Sequence, residues 1–524
     1  MKYEGLLKVP DYIAIAVYVC GLVFLGMWIS YRRRESKDLF LAGRTLPWYA
    51  IGLSILATNV GPGFLIASYG IAWKTGIVNA NFEWLAWIFI LIFGMLFFPH
   101  YVSTRVTTIP QFINHRFGAK AYTIFTWYSL FNILMLWLGG TLYTGALLFS
   151  QIMGWPFWAS LLFLMAVTTS FTAAGGLAAV VYTDFFQGIL IIIGSLIMTL
   201  IAYNNVGGMD NFMSRVPTDY WKLLKPASDP LFPWYAIVFG YPILGIWYWC
   251  ADQTIVQRIL GARDMRHGQL ACVFTGFLKI LPPFLFIIPG ILCYALHPDL
   301  KDADDAFVTM LRNYMPAGLT GMMVAVFLAM LISTIDSAIN AFSTLFTVDI
   351  YQRHFRPGAG PEQVAKVGRI MTIVTAFIAL GMAFTWKTFD EELWRIGGVL
   401  MSAVAPTVAT VFLFGVLWKR ATKASALITM CSGAAVCWSA GLLNLWGIPY
   451  EGFWPPYMVM TIYGFLFSSA VMTVSTLCTR NARDEQPLDS LRESYRKYGG
   501  LTRAIWVLWA ILAAVMAAIY IVFD

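Results

Sequence analysis

Long apolar stretches alternate with short polar gaps along almost the whole chain. Each stretch has about 20 residues or more, the length that an α-helix needs to cross the hydrocarbon core of a bilayer. The pattern predicts an all-α polytopic membrane protein, a single transmembrane domain over residues 1–524. About 14 spans are expected, at 9–31, 46–72, 80–104, 119–152, 156–176, 180–205, 232–251, 267–298, 316–350, 364–387, 394–418, 424–445, 454–479 and 503–523.

The composition agrees with this class and excludes others. Of the 524 residues, 59% are apolar and 12% are charged, whereas about 25% of residues are charged in an average soluble protein. A soluble enzyme, a disulfide-rich secreted domain and a disordered chain are incompatible with so much apolar surface. The seven cysteines lie in or beside apolar stretches, and we interpret them as packing residues.

The basic residues predict how the chain is oriented in the membrane. If the N-terminus is outside, 24 of the 35 Lys and Arg residues fall in cytoplasmic gaps and ten in external gaps, while Lys279 lies within a span. This asymmetry follows the positive-inside rule and predicts that both termini are outside. The net charge of +8 is then a consequence of topology, and no nucleic-acid partner is expected. The absence of an N-x-S/T sequon favours a bacterial inner membrane.

Two spans contain helix-breaking residues near their middle. The second span has the run Asn59-Val60-Gly61-Pro62-Gly63, and the seventh has Gly240-Tyr241-Pro242, followed by Gly245. Proline removes a backbone donor and glycine weakens a helix. Inside a membrane, unwound backbone is tolerated only where protein or a cavity satisfies it. Simple packing kinks are one interpretation of these runs, and interrupted helices at a binding site are the other.

The positions of the two interruptions favour a binding site. Spans 2–6 and 7–11 form two blocks of five, each beginning with an interrupted helix, and an odd number of spans inverts the second block. This arrangement is typical of inverted-repeat secondary transporters. It places repeat 1 at 46–205 and repeat 2 at 232–418, with one peripheral helix at 9–31 and three at 424–523.

The ionisable side chains within predicted spans include Glu83, Asp184, Lys279 and Asp336. Placing a charged side chain at the middle of a membrane helix costs at least about 2.5 kcal/mol, so the presence of each one needs an explanation. Lys279 and Glu83 can be explained by a structural ion pair, and Asp184 by a carboxylate at the start of its helix. Asp336 has no comparable structural explanation.

Asp336 belongs to the run 333–337, in which Ser333, Asp336 and Ser337 share one helical face. Hydroxyl and carboxylate oxygens are hard ligands that suit a hard cation. Serine and threonine in membrane helices also bond to the carbonyl four residues earlier, which is the competing interpretation. Together with the broken helices, this run predicts a cation-coupled transporter.

At these residues the sequence resembles the sodium:solute symporter family, most closely its sodium/sugar (sodium/glucose-type) branch. The resemblance implies a leucine-transporter-type fold with two inverted five-helix repeats. It implies sodium-coupled import of a small polar solute, a sugar or polyol, by alternating access. Sodium is the coupling ion, no other cofactor is implied, and the expected unit is a monomer in the lipid bilayer. The matching segments are 40–44, 56–61, 81–84, 175–184, 248–253, 257–258, 277–282, 343–351 and 417–420.

The resemblance also implies two cation sites. At the second site Asp336 replaces the usual hydroxyl, and two nearby carboxylates bind a cation strongly or share a proton. The second site is therefore expected to take a second sodium ion or a proton. The main sodium site corresponds to Ala57, Val60, Met330, Ser333 and Thr334, and the second site to Asp184, Ser333, Asp336 and Ser337.

A solute site is implied as well, although two of its positions depart from the sugar-binding pattern. Phe64 stands where sugar transporters have His or Gln, and Gly398 where they have Gln. These losses count against glucose or galactose and leave a differently shaped sugar or an inositol. The implied solute-binding residues are Asn59, Phe64, Glu83, Tyr248, Trp249 and Lys279.

Other functions are weighed against sugar import. The same fold serves a sugar acid, an amino acid, a monocarboxylate or a quaternary amine, coupled to sodium or to protons. A membrane substrate sensor is less favoured, because the sequence contains no signalling domain. An enzyme is not predicted, since the five histidines are scattered and neither HExxH nor GxSxG occurs.

Overall fold

The computed structural model describes residues 7–32, 39–388, 393–450, 452–479, 491–500 and 502–523. Within these ranges the fold is helical, and β structure is limited to two isolated bridges, Leu46 with Ala262 and Lys225 with Pro233. The predicted all-α fold class is confirmed.

The described residues up to Arg215 contain ten α-helices. They are α1 Val9–Arg32, α2 Trp48–Asn59, α3 Pro62–Thr75, α4 Asn81–Trp84, α5 Ala86–Ile92, α6 Phe98–Ser103, α7 Ile109–Asn132, α8 Thr141–Met153, α9 Phe157–Val206 and α10 Met209–Arg215.

Twelve further helices follow. They are α11 Tyr241–Ile246, α12 Gln253–Leu260, α13 Met265–Leu278, α14 Ile288–Leu296, α15 Ala306–Tyr314, α16 Leu319–Thr344, α17 Pro361–Trp386, α18 Leu393–Leu417, α19 Lys423–Leu445, α20 Tyr457–Cys478, α21 Leu491–Tyr498 and α22 Arg503–Val522. Wider π-helical segments extend or join several of them, at Phe93–Phe97, Ile133–Gly140, Ala236–Gly240, Trp247–Ala251, Pro283–Ile287 and Leu345–Phe355.

Eleven continuous helical stretches in the described ranges are long and apolar enough to cross a membrane, and Ala236–Ala251 is a shorter apolar stretch. Some stretches combine two predicted spans. In α9 the fifth and sixth spans are joined across a bend at Gly176, where φ is 56°. The chain is a multi-pass membrane protein. The exact number of spans and the outside location of both termini stay predictions, and residues 1–6 and 524 lie outside the described residues.

The predicted interruption of the second span is present between α2 and α3. Because Pro62 has no N–H, the carbonyl of Thr58 loses the donor that an unbroken helix would supply. Val60 (φ −92°, ψ 75°) and Gly61 (φ −78°, ψ 170°) both leave the helical region. Pro62 then begins α3, where its missing N–H costs nothing. The break therefore exposes backbone oxygens in the protein interior.

The seventh span differs from the expectation, because Gly240 and Pro242 do not unwind it. Its backbone stays helical, with the π-helical segments Ala236–Gly240 and Trp247–Ala251 on either side of α11. A π turn widens the backbone, so the proline is accommodated without a break. The prediction that the seventh span is interrupted by an unwound segment is therefore wrong.

The explanation of Asp184 as a helix-capping residue is also wrong. The bend at Gly176 starts the second half of α9, so Asp184 lies about two turns inside the helix. It is completely buried. Its position faces α2 and α16, because both of these helices pack against α9. A buried carboxylate in the middle of a helix needs a partner from the neighbouring helices.

Candidate functional site

A cavity of about 220 Å³ lies beside the break between α2 and α3. Thr58, Asn59 and Gly61 from the break contribute to its wall, and so does Thr334 of α16. The rest of the wall is rich in aromatic rings, among them Phe64, Phe82, Tyr248, Trp249, Trp394 and Tyr457. The size and mixed lining are typical of a site for a small solute that has both polar and apolar faces.

One side of the cavity is polar, and it is built from three elements. Asn59 ends α2, Glu83 lies in α4, and Lys279 follows α13 where the chain bends before Pro282 and Pro283. The Lys279 ammonium donates hydrogen bonds to the Asn59 side-chain oxygen and to the Glu83 carboxylate. Asn59 and Glu83 line the cavity, and Lys279 lies behind them with 1% of its surface exposed.

Two aromatic residues complete this polar group. The Asn59 amide donates to the Tyr248 hydroxyl at 2.9 Å. The Lys279 ammonium lies 5.2 Å from the centre of the Trp249 ring, a cation–π distance. The ion pair that was one interpretation of Glu83 and Lys279 is present. Because Glu83 also lines the cavity, the ion pair and a solute-binding role are compatible.

Another part of the cavity wall depends on Gly398 of α18. A Cβ atom at this position would lie 2.7 Å from the ring of Tyr457, so the tyrosine occupies the space of a side chain there. The Tyr457 ring packs edge-on against Trp394 at 6.3 Å, and Trp394 packs against Phe82 at 5.5 Å. A ring from α20 therefore occupies the space that a side chain at position 398 would take.

We expect Gly398→Ala to disturb this wall. The added methyl group forces Tyr457 aside, and overpacking of this kind typically costs about 1–3 kcal/mol. Uptake of the transported solute should fall, with the change mainly in the half-saturating solute concentration. Gly397→Ala is the matched control, because Gly397 also lines the cavity and a Cβ there meets nothing within 4 Å. Equal uptake by the two variants would contradict the assignment of Tyr457 to the cavity wall.

The break and α16 meet at Thr334, one of the residues expected at the main sodium site. Its hydroxyl oxygen lies 3.0 Å from the freed carbonyl of Thr58 and 2.9 Å from the carbonyl of Met330. The second contact is the bond to the carbonyl four residues earlier, and it coexists with the contact across the helices. Ala57 and Val60 flank Thr58 in the break, and all these residues are buried.

The residues expected at the second site lie about one turn deeper between α2, α9 and α16. Asp184 accepts a hydrogen bond from Ser54 at 2.6 Å. The Thr58 hydroxyl lies 3.4 Å from the Asp184 carboxylate, 3.1 Å from the Ser333 hydroxyl and 3.0 Å from the Ser337 hydroxyl. Three of the four expected residues therefore contact the Thr58 hydroxyl, and the fourth, Asp336, joins the cluster through the Ser337 hydroxyl at 3.2 Å.

A guanidinium group also enters this cluster, which the sequence did not predict. Arg258 of α12 is 1% exposed and lies 3.5 Å from the Asp184 carboxylate. It also donates to Ser54 at 2.8 Å, to Thr58 at 2.7 Å and to Ser337. In the sequence Arg258 counts as one of the basic residues of a cytoplasmic gap, although it belongs to a segment that resembles the family.

Three more residues of the site were not predicted individually, and their signals differ in strength. Ser54 and Thr58 are four residues apart on one face of α2, and this spacing could have indicated a polar face toward Asp184. For Tyr457 no signal was available, because α20 belongs to the peripheral helices and only tertiary packing brings it to Gly398.

A broken helix that joins a cavity to a buried cluster of hydroxyl and carboxylate oxygens, in an all-helical membrane protein, is typical of a secondary transporter. The family model described as Sodium:solute symporter family matches residues 39–433. The chain belongs to this family, and the family recognised from its motifs is confirmed. Its relatives are transporters and not enzymes.

Two curated relatives indicate the branch. The chain is 32% identical to the protein named Sodium/mannose cotransporter SLC5A10 of Bos taurus, over 92% of this chain and 88% of the relative. It is 31% identical to Sodium/glucose cotransporter 1 of Mus musculus, over 81% of this chain and 70% of the relative. Sodium is therefore the coupling ion of the proteins that this chain resembles.

Solved structures show the same fold. A structure of a Na+-coupled sialic acid symporter superposes with a TM-score of 0.77 at 19% identity, over 91% of this chain and 99% of the other. The nucleobase-cation-symport-1 family transporter Mhp1 superposes with a TM-score of 0.50 at 11% identity, over 90% of this chain and 98% of the other. The expected leucine-transporter-type fold is confirmed.

Proposed function

We propose that this protein imports a sugar or polyol together with sodium by alternating access. One observation carries the proposal: two adjacent residues of the break, Thr58 and Asn59, serve different sites. The Thr58 carbonyl is 3.0 Å from the Thr334 hydroxyl at the cation ligands, and Asn59 belongs to the polar wall of the cavity. A cation that orders this turn also positions the solute-binding group. The names of the sodium/mannose and sodium/glucose relatives support this class of solute.

At the main site, sodium is held by oxygens from the break and from α16. The backbone oxygens of Ala57, Val60 and Met330 and the hydroxyls of Ser333 and Thr334 form a hard ligand set suited to sodium. When sodium binds there it raises the affinity for the solute, and by linkage the solute raises the affinity for sodium equally. Each sodium ion that moves inward through a membrane potential of about 100 mV supplies about 2.3 kcal/mol.

The chemistry of the cavity favours a neutral polyhydroxy solute. The Glu83 carboxylate accepts hydrogen bonds from hydroxyl groups, and the Asn59 side chain donates or accepts them. Lys279 compensates the charge of Glu83 and holds Asn59, so it acts as a positioning residue. Aromatic rings of the wall, among them Tyr248 and Trp249, pack on the apolar face of a sugar ring. The Glu83–Lys279 pair has no net charge, so the charge of an ionic solute would stay uncompensated beside it.

A second coupling cation or a proton is assigned to Asp184, Ser333, Asp336 and Ser337. Two carboxylates that lie within one buried cluster favour uptake of a positive charge. Residence in the plasma membrane, for a bacterial protein the inner membrane, is part of the same proposal.

Uptake into proteoliposomes tests the function directly. We expect D-mannose or myo-inositol to accumulate only under an inward sodium gradient, and a potassium gradient of the same size to give none. Sialic acid, proline, lactate and choline serve as the comparison panel. Accumulation driven by a pH gradient without sodium would identify proton coupling, and gradient-independent transport of every solute would refute the proposal.

A further inference from the structure

Arg258 lies within the oxygen cluster that is proposed to bind the second cation. One of its terminal nitrogens is 2.7 Å from the Thr58 hydroxyl, 3.5 Å from Asp184, and also donates to Ser337. Its Nε is 2.8 Å from the hydroxyl of Ser54, which itself bonds to Asp184. The guanidinium thus contacts Ser337 and Asp184, two of the four residues assigned to that site.

The cluster still attracts positive charge when Arg258 is in place. Two carboxylates, Asp184 and Asp336, lie near one guanidinium, and all three groups are buried. Among the described residues, one oxygen of each carboxylate, Oδ1 of Asp184 and Oδ2 of Asp336, has no hydrogen-bond partner. Buried carboxylate oxygens without partners are costly, so they favour the entry of a cation.

A sodium ion and the guanidinium compete for the same oxygens. Ser337 donates to the Ser333 carbonyl at 2.5 Å and accepts from Arg258, which occupies one of the two lone pairs that its hydroxyl could offer to a metal ion. Two positive charges at neighbouring positions in a buried cluster also repel each other. The oxygens they share, Oγ of Ser337 and Oδ2 of Asp184, and the repulsion between the two charges therefore oppose binding of both cations at once.

We propose that Arg258 is an internal cation which fills the second cation site in this state, and that a monovalent cation binds there only by displacing it. This inference rests on the proposed second site. Displacement of Arg258 acts on α12, the helix that carries it. The neighbouring residue Gln257 anchors this helix by donating to the Phe40 carbonyl at 2.7 Å and to the Thr344 hydroxyl at 2.8 Å. Since α12 directly follows the segment that carries Tyr248, cation loading is connected to the solute-binding helix.

Equilibrium binding of radioactive sodium to the purified protein tests this proposal. Arg258→Met removes the competing charge, so the half-saturating sodium concentration of the second binding step should fall about tenfold, within the usual range of coupling between sites. Arg116→Met is the matched control. Arg116 is also buried, but it donates to the carbonyls of Gly415 at 2.9 Å and Trp418 at 3.0 Å. Unchanged sodium affinity in folded Arg258→Met protein overturns the inference.

A second comparison serves if Arg258→Met does not fold. Asp336→Ser/Arg258→Met loses one charge of each sign and should bind sodium about tenfold more tightly than Asp336→Ser alone. Equal binding by these two variants overturns the inference.

Asp184→Asn separates the inference from the proposed site on which it rests. If Asp184→Asn weakens sodium binding while Arg258→Met has no effect, the site stands and only the role of Arg258 is refuted. If neither variant changes sodium binding, the second site is refuted as well.

Discussion

Replacing Lys279 by methionine should lower the affinity for the sugar by about 100-fold or more, because Lys279 positions Glu83 and Asn59, and each charge-assisted hydrogen bond that a sugar makes to Glu83 is worth about 1.5–3 kcal/mol. Methionine retains the apolar stem but leaves the Glu83 carboxylate without its cation and Asn59 without its donor. Both groups line the cavity, so their reorientation removes the polar wall. Sugar binding to the purified protein in saturating sodium measures the effect.

A double variant distinguishes solute binding from a purely structural ion pair. Breaking one partner of a buried pair is strongly destabilising, whereas removing both charges together is often tolerated. Glu83→Gln/Lys279→Met should therefore regain thermal stability relative to Lys279→Met and still fail to bind sugar. Recovery of sugar affinity in the double variant would mean that the pair is structural only.

Replacing Thr334 by alanine should raise the half-saturating sodium concentration about tenfold, because one hydroxyl ligand in a buried site is worth about 1–2 kcal/mol. The same hydroxyl lies 3.0 Å from the Thr58 carbonyl and holds the break against α16. Sodium-dependent uptake at fixed sugar concentration measures the change. Solute affinity in the absence of sodium should change little, since the cavity keeps its polar wall.

Two further substitutions make the Thr334 result specific. Thr334→Ser keeps the hydroxyl and should restore the sodium dependence of the unmodified protein. Thr375→Ala is the matched control, because Thr375 is buried in α17 and its hydroxyl bonds only along the helix, to the Met371 carbonyl at 2.6 Å. A sodium dependence that is the same in Thr334→Ala and in Thr375→Ala would refute the assigned main site.

The two proposed cation sites share one residue, and this has a consequence for coupling. Thr58 offers its carbonyl to Thr334 at the main site and its hydroxyl to Asp184, Ser333 and Ser337 at the second. A change in cation occupancy at one site therefore acts on the other through a single residue of the break. Because the next residue is Asn59, the same turn also reaches the solute cavity.

Local features of the chain were predictable because their causes are local. Pro62 lacks the N–H that the Thr58 carbonyl needs, so the break in the second span follows from the sequence alone. The same reasoning failed in the seventh span, where π-helical turns accommodate Pro242. Proline excludes one hydrogen bond, but the surrounding packing decides whether the helix unwinds or widens.

The sequence by itself determined that this is an all-helical membrane transporter of the sodium:solute symporter family, that its second span is broken, and that Glu83, Asp184, Lys279 and Asp336 are buried. Hydropathy, backbone donors and family motifs are properties of short segments. Only the tertiary structure decided which buried groups meet. Ser54 reaches Asp184 across 130 residues, Lys279 reaches Glu83 across 196, and Arg258 reaches Thr58 across 200. These pairings depend on how distant helices pack, and so do the entry of Arg258 into the cation cluster and of Tyr457 into the space beside Gly398.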